Sequence, residues 1–348
     1  METKKVVYYC GRGNHRLSSR ILKNYGEYLG KECFFSHIDF EEFPDEEPDV
    51  KLPKWSEIKG STVVFFQSIY KKEYLEELME LVWAMKKQYG AKHVIVVLLF
   101  MRFRRQDHEE KMEEICRLKM VIDRLKHDGV DEIITVSPHS PKMREFCTEV
   151  GIKMHEVDPS PLFASTVKTY LADKPTIYAP DAGSVPRAVK LAKLLDCQVV
   201  MSLKERGLDN EAMIKAEDRD EIEIILRKLR LQYEYRDIYY ADSDHVKGQS
   251  IVMTEDEVTT GSTANKTGQR IKKIGAKYLI LLAMHAVLVR SWRRKLFDKR
   301  PFDKVIMGDT IPRDYEKMTG GLIHDISVAE LMAQALYKVV HQIPEKTK

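Results

Sequence analysis

The stretch IVMTEDEVTTGSTA, residues 251–264, carries one repeat of the fold in miniature. Ile251, Val252 and Met253 form an apolar, partly β-branched run that reads as a buried strand. The run ends in three carboxylates, Glu255, Asp256 and Glu257, and passes almost at once into Thr-Thr-Gly-Ser-Thr, where a helix opens. A solvated turn needs one or two polar residues, so clustered acids followed by a hydroxyl-rich loop with a glycine mark a site. Carboxylates accept hydrogen bonds from sugar hydroxyls. A Thr-Gly-Ser-Thr turn at a helix start offers backbone N–H groups and hydroxyls to a phosphate. The plainer alternative is a helix cap, with Ser262 or Thr263 bonding the first amides of a helix that begins near Ala264.

The same strand, loop and helix recur along the chain. Short β-rich runs lie at KKVVYYC, STVVFFQS, KHVIVVLLF, EIITVS, PTIYAP, CQVVMSL, QSIVMT, KYLILLAMH and DKVIMGD. Between most of them run stretches of helical period: LSSRILKNYGEYLG, LEELMELVWAMKKQYG, MEEICRLKMVIDRLKHDG and VPRAVKLAKLLD. Several of these stop at a glycine. Alternation of this kind with continuously apolar strands predicts an α/β fold of parallel sheets covered on both faces. The 348 residues suffice for two such domains, dividing near residues 150–160, where VDPSPLF supplies two prolines.

Charge and cysteines narrow the partners. Lys plus Arg number 57 against 54 Asp plus Glu, a net charge of +3, so no strong field recruits nucleic acid or an anionic membrane. The expected partner is a small molecule. Cys10, Cys33, Cys116, Cys147 and Cys197 are widely spaced, with no CxxC pair, and read as reduced core thiols of a cytoplasmic protein. METKKVVYYC has no signal-like apolar segment, and the run YLILLAMHAVLV is too short to span a bilayer, so secretion and membrane insertion are not expected.

Ligands of open α/β sheets sit at the carboxyl ends of strands, and two further tails stand out. In TIYAPDAGSVPRAVKLA, residues 176–192, a strand leads into Asp181-Ala182-Gly183-Ser184 and then a helix. Asp181 could hold a metal and the loop amides an anion, or the loop could be another capped helix. In VVMSLKERG, Lys204 and Arg206 follow a strand. Two cations beside two anion-binding loops suit phosphoryl transfer, although a KER triplet is also an ordinary solvated turn.

Taken in order, these segments resemble the ribose-phosphate pyrophosphokinases, or phosphoribosyl pyrophosphate (PRPP) synthetases. CGRGNHRLSSRI is similar to the family's opening glycine segment, EFPDEE to its Phe-Pro-Asp-Gly-Glu loop, RRQD to its Arg-Gln-Asp segment and SPHS to its Asp-Leu-His segment. PDAGS resembles Pro-Asp-Ala-Gly-Gly, LKERG the catalytic Lys-Glu-Arg, TEDEVTTGST the PRPP-binding loop, and DTIP and HDISVAELMAQAL the closing segments. Each is weak alone, and their colinearity is strong.

The resemblance implies two similar domains of the type I phosphoribosyltransferase fold: an ATP-binding domain over 1–156 and a ribose-phosphate-binding domain over 157–324. A C-terminal helix within 325–348 would pack back on the first domain. It implies that Lys204 and Arg206 are catalytic and that Arg105 and Gln106 contact ATP. Phe43, Asp45 and Glu47 would reach a neighbouring subunit's ATP, making the protein a homo-oligomer with shared sites; read alone, they form an acidic surface loop. Glu255 and Asp256 would bind ribose hydroxyls, and Thr259, Thr260, Gly261, Ser262 and Thr263 would cradle the 5-phosphate. Asp181, beside the ribose phosphate, and His139 would be the Mg²⁺ positions. A lone histidine is otherwise more often structural. The implied reaction is attack by the anomeric hydroxyl of ribose 5-phosphate on the β-phosphorus of ATP, giving PRPP and AMP.

Four departures from the family pattern fall beside the ribose site and the catalytic loop. Thr259 and Ser137 stand where the family has aspartates, Glu255 replaces an Asp, and Gly183-Ser184 replaces Gly-Gly. Between Arg206 and Glu255 the chain is longer than the family by roughly two dozen residues, more than compact α/β connections need, and this insertion, near 211–246, includes DEIEIILRKLRLQYEYRDIYY, which reads as an amphipathic helix followed by an aromatic strand. Its tyrosines Tyr233, Tyr235, Tyr239 and Tyr240 could stack on a base or could pack the added helix. These changes bear on the acceptor more than on the reaction. Pyrophosphoryl transfer to a larger ribose 5-phosphoester such as ADP-ribose, or a catalytically weak regulatory subunit, are the other readings.

Overall fold

The computed structural model describes residues 5–108, 113–202 and 219–341. By contacts, the chain forms two compact units. One comprises Met1–Asp158, Asp309–Arg313 and Ser327–Lys348; the other comprises Pro159–Gly308 and Asp314–Ile326.

The described part of the first unit is built on a parallel five-stranded sheet, ordered β1-β4-β5-β6-β7. Its strands are β1 (Val6–Cys10), β4 (Thr62–Ser68), β5 (His93–Phe100), β6 (Glu132–Val136) and β7 (Lys153–Val157). An antiparallel hairpin, β2 (Asp39–Glu42) with β3 (Pro48–Lys51), interrupts the alternation. The sheet is apolar on both faces because neighbours in sequence are both buried: Val63 and Phe65 point one way, Val64 and Phe66 the other, and all are fully inaccessible. Helices α2 (Glu73–Trp83), α3 (Arg117–Asp128) and α4 (Lys142–Glu149) cover one face. Helix α1 (His15–Leu29) packs on the C-terminal helix α12 (Ala329–Val340), which also lies against β6 and β7.

The second unit contains a parallel seven-stranded sheet, ordered β10-β9-β8-β11-β12-β13-β14. Its strands are β8 (Thr176–Ala179), β9 (Val199–Met201), β10 (Ile238–Tyr240), β11 (Ser250–Val258), β12 (Tyr278–Ala286), β13 (Lys304–Gly308) and β14 (Ile323–Ile326). Helices α5 (Ser160–Tyr170), α6 (Val185–Leu195), α7 (Arg219–Gln232), α8 (Ser243–Val246), α9 (Ser262–Ile274), α10 (Trp292–Phe297) and α11 (Tyr315–Thr319) complete it. From β8 the chain moves outward through β9 and β10, then returns to the other side of β8 as β11. The strand order therefore reverses between β8 and β11, the crevice where doubly wound sheets bind ligands.

Sequence reading ran the second domain through residue 324, whereas Asp309–Arg313 associate with the first unit. The reason is a set of hydrogen bonds to main-chain carbonyls. Asn14 Nδ2 donates to Asp309 O (2.9 Å) and Thr310 O (3.1 Å), and Ser68 Oγ donates to Thr310 O (2.7 Å). Arg20 Nη1 pairs with Asp309 Oδ2 at 3.3 Å.

The added segment folds as a helix and a strand. Its inward residues Ile222 and Leu226 are buried, and Arg230 Nε donates to Ile238 O (2.9 Å) on the edge strand β10. Two of the four tyrosines, Tyr235 and Tyr239, use their side chains in this packing. Lys193 Nζ donates to the Tyr233 carbonyl (3.0 Å), Tyr235 donates its hydroxyl to Cys197 O, and Tyr239 stacks on His245 at 4.4 Å. The helix thus shields a sheet edge that would otherwise offer unpaired backbone groups. The expectation of core thiols holds for Cys10, Cys147 and Cys197, while Cys33 and Cys116 are only partly covered. Among the described residues no helix is long and apolar enough to cross a membrane.

At the amino ends of β5 and β6 a carboxylate sits between two imidazoles. His93 Nε2 lies 2.8 Å from Glu132 Oε1 and His155 Nε2 lies 2.5 Å from Glu132 Oε2. Burial pushes the Glu132 carboxyl upward, but the hydrogen bonds from His155 and His93 outweigh it and lower its pKa to about 2. A folded-state pKa below the unfolded one gives stability that is complete above the unfolded value and is lost as pH falls toward the folded value. Glu132→Gln is expected to cost about 2 kcal/mol at pH 7, with the gap from wild type closing between about pH 4.5 and pH 2. Urea denaturation across that range measures it, and a gap independent of pH would remove the carboxylate's charge from the explanation.

Candidate active site

In the second unit both loops singled out from the sequence leave the sheet at the reversal point. Asp181 follows β8, and Thr259–Thr263 follow β11, the strand hydrogen-bonded to β8. Asp181 is exposed, and its Oδ1 accepts from Ser184 N (2.9 Å) while Ser184 Oγ accepts from Asp181 N (3.2 Å). This reciprocal cap explains one departure: Ser184 uses its amide and hydroxyl to fix Asp181, so that amide is not left for an anion. Asp181 Oδ2 keeps no hydrogen-bond partner among the described residues.

The second loop overturns the expectation of a Ser262 or Thr263 cap. Helix α9 starts at Ser262, its N-cap is Gly261, and no side chain closes the cap. First-turn amides have no intrahelical acceptor; Ser262 N makes a long bond to Thr260 Oγ1 (3.4 Å), and a glycine cap offers the others no side-chain acceptor, leaving them to solvent or to a ligand. Gly261 is required twice over. Its φ is 77°, and a Cβ there would lie 2.8 Å from Leu296 Cβ. Thr260 Oγ1 meets Ser262 Oγ at 3.3 Å, gathering two hydroxyls at the turn.

The carboxylates belong to the end of β11 and not to the loop. Alternation along the strand puts Glu255 and Glu257 on one face, half-buried, and Asp256 on the other, buried beside Thr254 and Val258 in sequence. Glu257, absent from the sequence-derived set, shares its face with Glu255, and Thr259 Oγ1 donates to it (3.3 Å). A period-two count along the strand would have found it.

Lys204 and Arg206 lie outside the described residues. Their chain leaves β9 at Ser202, which is tied to β8: Ser202 N donates to Ala179 O (3.1 Å), and Ser202 Oγ meets the Tyr178 hydroxyl. A few residues along α6, Arg187 has a buried Nε without a hydrogen-bond partner among the described residues. A buried donor left unmatched costs about 1–3 kcal/mol, so it calls for an acceptor arriving with a ligand. Nothing in the sequence separated Arg187 from an ordinary helix cation.

In the first unit, Arg104-Arg105-Gln106-Asp107 follows β5. Arg105 and Gln106 are exposed, whereas Arg104 and Asp107 are buried and hold the loop. Arg104 Nη1 donates to Ser137 O (3.2 Å), and Asp107 accepts from Ser140 and, at 2.6 Å, from His108 Nδ1. Burial alone would raise the Asp107 carboxyl; the hydrogen bonds from Ser140 and His108 win and lower it. His139 sits exposed in the loop braced by Ser137 and Ser140, and Ser137 takes a positive φ of 46°. Phe43, Asp45 and Glu47 form the exposed tip of the β2–β3 hairpin, closed by Phe43 N to Glu47 O (2.8 Å). Glu46, at φ 67°, stands where the family pattern has glycine.

The opening glycine segment is a packing device. A Cβ on Gly13 would lie 2.3 Å from Ser68 O, and one on Gly11 2.4 Å from Glu77 Oε1. Only bare backbone lets the Gly13 amide reach Gln67 Oε1 (2.9 Å) and the Arg12 amide reach Glu77 Oε1 (2.7 Å).

Among the described residues no three His, Cys, Asp or Glu side chains converge as a metal site. One exposed carboxylate with an oxygen to spare fits Mg²⁺, a hard cation that keeps waters and rides on substrate phosphates in place of a protein cage.

Two parallel-sheet units, the second with a glycine-capped hydroxyl loop at its reversal point, define a two-domain protein of phosphoribosyltransferase architecture. Residues 6–129 match the family model for the N-terminal domain of ribose phosphate pyrophosphokinase, and residues 161–314 match the phosphoribosyl transferase domain. Ribose-phosphate pyrophosphokinase of Ralstonia nicotianae is 25% identical over 343 residues, spanning 98% of this chain and 96% of its own. The enzyme of that name from Methanothermobacter thermautotrophicus is 27% identical over 301 residues, 86% and 90% of the two chains. The solved phosphoribosylpyrophosphate synthetase of Mycobacterium smegmatis shares the fold, with TM-score 0.77 at 21% identity over 97% of this chain and 100% of that one. The chain belongs to the ribose-phosphate pyrophosphokinase family.

Proposed function

We infer that this protein is a ribose-phosphate pyrophosphokinase, moving the pyrophosphoryl group of ATP to the anomeric hydroxyl of ribose 5-phosphate. The observation that carries the reading is the Gly261-capped loop at the reversal of strand order, beside the Asp181 loop. The first-turn amides of α9, with Thr260, Ser262 and Thr263, take the 5-phosphate. Glu255, joined by Glu257 on the same face of β11, takes ribose hydroxyls, whereas Asp256, which the resemblance pairs with Glu255, is buried on the opposite face. Arg187 offers its unmatched donor to an incoming anion.

Arg105 and Gln106 contact ATP, and Phe43, Asp45 and Glu47 serve the ATP of a neighbouring copy in a homo-oligomer. Mg²⁺, when bound, lessens the charge repulsion between the triphosphate and the incoming hydroxyl. Asp181 in the second unit would hold it through its hard carboxylate oxygen, and His139 is the candidate metal residue of the first unit. The C1 hydroxyl oxygen bonds to the β-phosphorus as the bond from that phosphorus to the α,β-bridging oxygen breaks. Lys204 and Arg206 balance the charge that develops on the transferring group. No covalent intermediate on the protein is needed.

Incubation of the full chain with ATP, Mg²⁺ and ribose 5-phosphate should yield AMP and PRPP in equal amounts, and chelation of the metal should stop both. AMP production independent of the sugar, or no AMP above an ATP-only control, would overturn the assignment.

A further inference from the structure

The segment after β12, Arg290 to Arg300, carries Arg290, Arg293, Arg294, Lys295, Lys299 and Arg300 against a single acid, Asp298. Arg293 is committed, donating Nη2 to Met318 O (2.7 Å) and covering the Trp292 ring. The side chains of the other five cations make no hydrogen bond or ion pair among the described residues. Elsewhere in the fold cations lie close to acids, as Lys51 does to Glu41 and Asp49, and Lys86 to Asp131. In a chain of net charge +3 this is a local excess, and mutual repulsion works against it.

The segment is not a loose surface loop. Val289 N donates to Thr259 O (2.9 Å) and Leu288 N to Val258 O (3.0 Å). Asn265 Nδ2 donates to both Leu296 O (2.7 Å) and Asp298 O (2.7 Å), and Leu296 fills the space a Cβ on Gly261 would need. Apart from the Arg293 bond to Met318 O, these tethers run to the end of β11, the phosphate loop or the first turn of the helix behind it. Leu288, Arg290, Ser291, Lys299 and Arg300 all adopt positive φ, a backbone strain that persists only where packing enforces it and that gathers at functional sites. A solvated patch kept for solubility would need neither the strain nor the tethers.

We propose that residues 290–300 form a second anion subsite adjoining the 259–263 loop, whose ligand is a phosphate group lying beyond the one that loop holds. The proposal rests on reading the loop as the ribose 5-phosphate site. The second phosphate has two possible sources: a phosphoryl group esterified onto the 5-phosphate of the acceptor, or a free inorganic phosphate bound beside it. The loop supplies neutral amides and hydroxyls for one phosphate, and the five unpaired cations supply the charge for another.

Isothermal titration of the full chain at fixed ionic strength, with ribose 5-phosphate, ADP-ribose and inorganic phosphate as probes, tests this on the wild type and on Arg290→Ala/Lys299→Ala/Arg300→Ala. These three side chains are exposed and bear no structural contact, and an unchanged melting temperature confirms the fold. The triple variant should bind ribose 5-phosphate within about threefold of wild type. It should lose at least about tenfold in affinity for ADP-ribose if the phosphates are joined, or for inorganic phosphate in the presence of saturating ribose 5-phosphate if they are separate. Arg290→Lys/Arg300→Lys, with Lys299 kept, should bind as the wild type does. Unchanged affinity for both ADP-ribose and inorganic phosphate overturns the subsite while leaving the loop intact. Failure of the wild type to bind ribose 5-phosphate overturns the loop, and the subsite with it.

Discussion

Lys204→Ala and Arg206→Ala are each expected to lower kcat by at least about a hundredfold while leaving nucleotide affinity nearly unchanged. The chain that bears them leaves β9 at Ser202, pinned to the carboxyl end of β8, and the Asp181 loop leaves from that same end. If they act there, these cations would meet the negative charge that builds as the pyrophosphoryl group leaves AMP and reaches the sugar. Charge that grows toward the transition state is held more tightly there than in the ground state, so the loss belongs in kcat. Steady-state kinetics together with equilibrium binding of a nucleotide analogue separate the two quantities. Near-normal turnover in both variants would remove them from the catalytic machinery, and a fall in nucleotide affinity of the same size would make them binding groups.

The second large effect is at Gly261. An alanine there meets two penalties at once: a left-handed φ of 77°, and a Cβ 2.8 Å from Leu296 Cβ and 3.1 Å from Leu296 Cα. Relief requires the loop to move, and the first-turn amides of α9 move with it. Gly261→Ala is expected to raise KM for ribose 5-phosphate at least about tenfold and to cost about 1–3 kcal/mol of stability, with KM for ATP little changed. Adding Leu296→Ala should restore neither, because alanine keeps the Cβ and Cα that crowd position 261 and leaves φ unrelaxed. An unaltered KM in Gly261→Ala would mean that the sugar phosphate is held elsewhere.

How much the sequence disclosed depends on whether a feature is local. The nine apolar runs all became strands because a strand covered on both faces must be apolar at consecutive positions. β7 and β14 escaped notice: they are edge strands, and KMHEV and IHDI carry charge at the positions that need no cover. The cap of α9 was misread because its geometry is set by Leu296, far along the chain. In Arg104-Arg105 no local signal tells which arginine turns inward to brace Ser137 and which stays outside. The tyrosines of the added segment are aromatic whether they line a site or seal an edge, and only their partners decide. Glu257 was legible by strand alternation and was missed by treating the acids as loop.

The helix α12 gives the first unit an unusual timetable during synthesis. Its partners α1, β6 and β7 are all made by residue 157, yet α12 begins at Ala329. At about 5–20 residues per second the ribosome needs on the order of ten to forty seconds to supply it. Through that interval the nascent half-protein has α1 against β1 but lacks the helix that lies on β6 and β7. The unit that emerges first is thus finished last, and a premature stop anywhere before Ala329 leaves both ends of the product defective. A codon choice or a chaperone that slows or guards the middle of this chain would therefore act on the folding of its beginning.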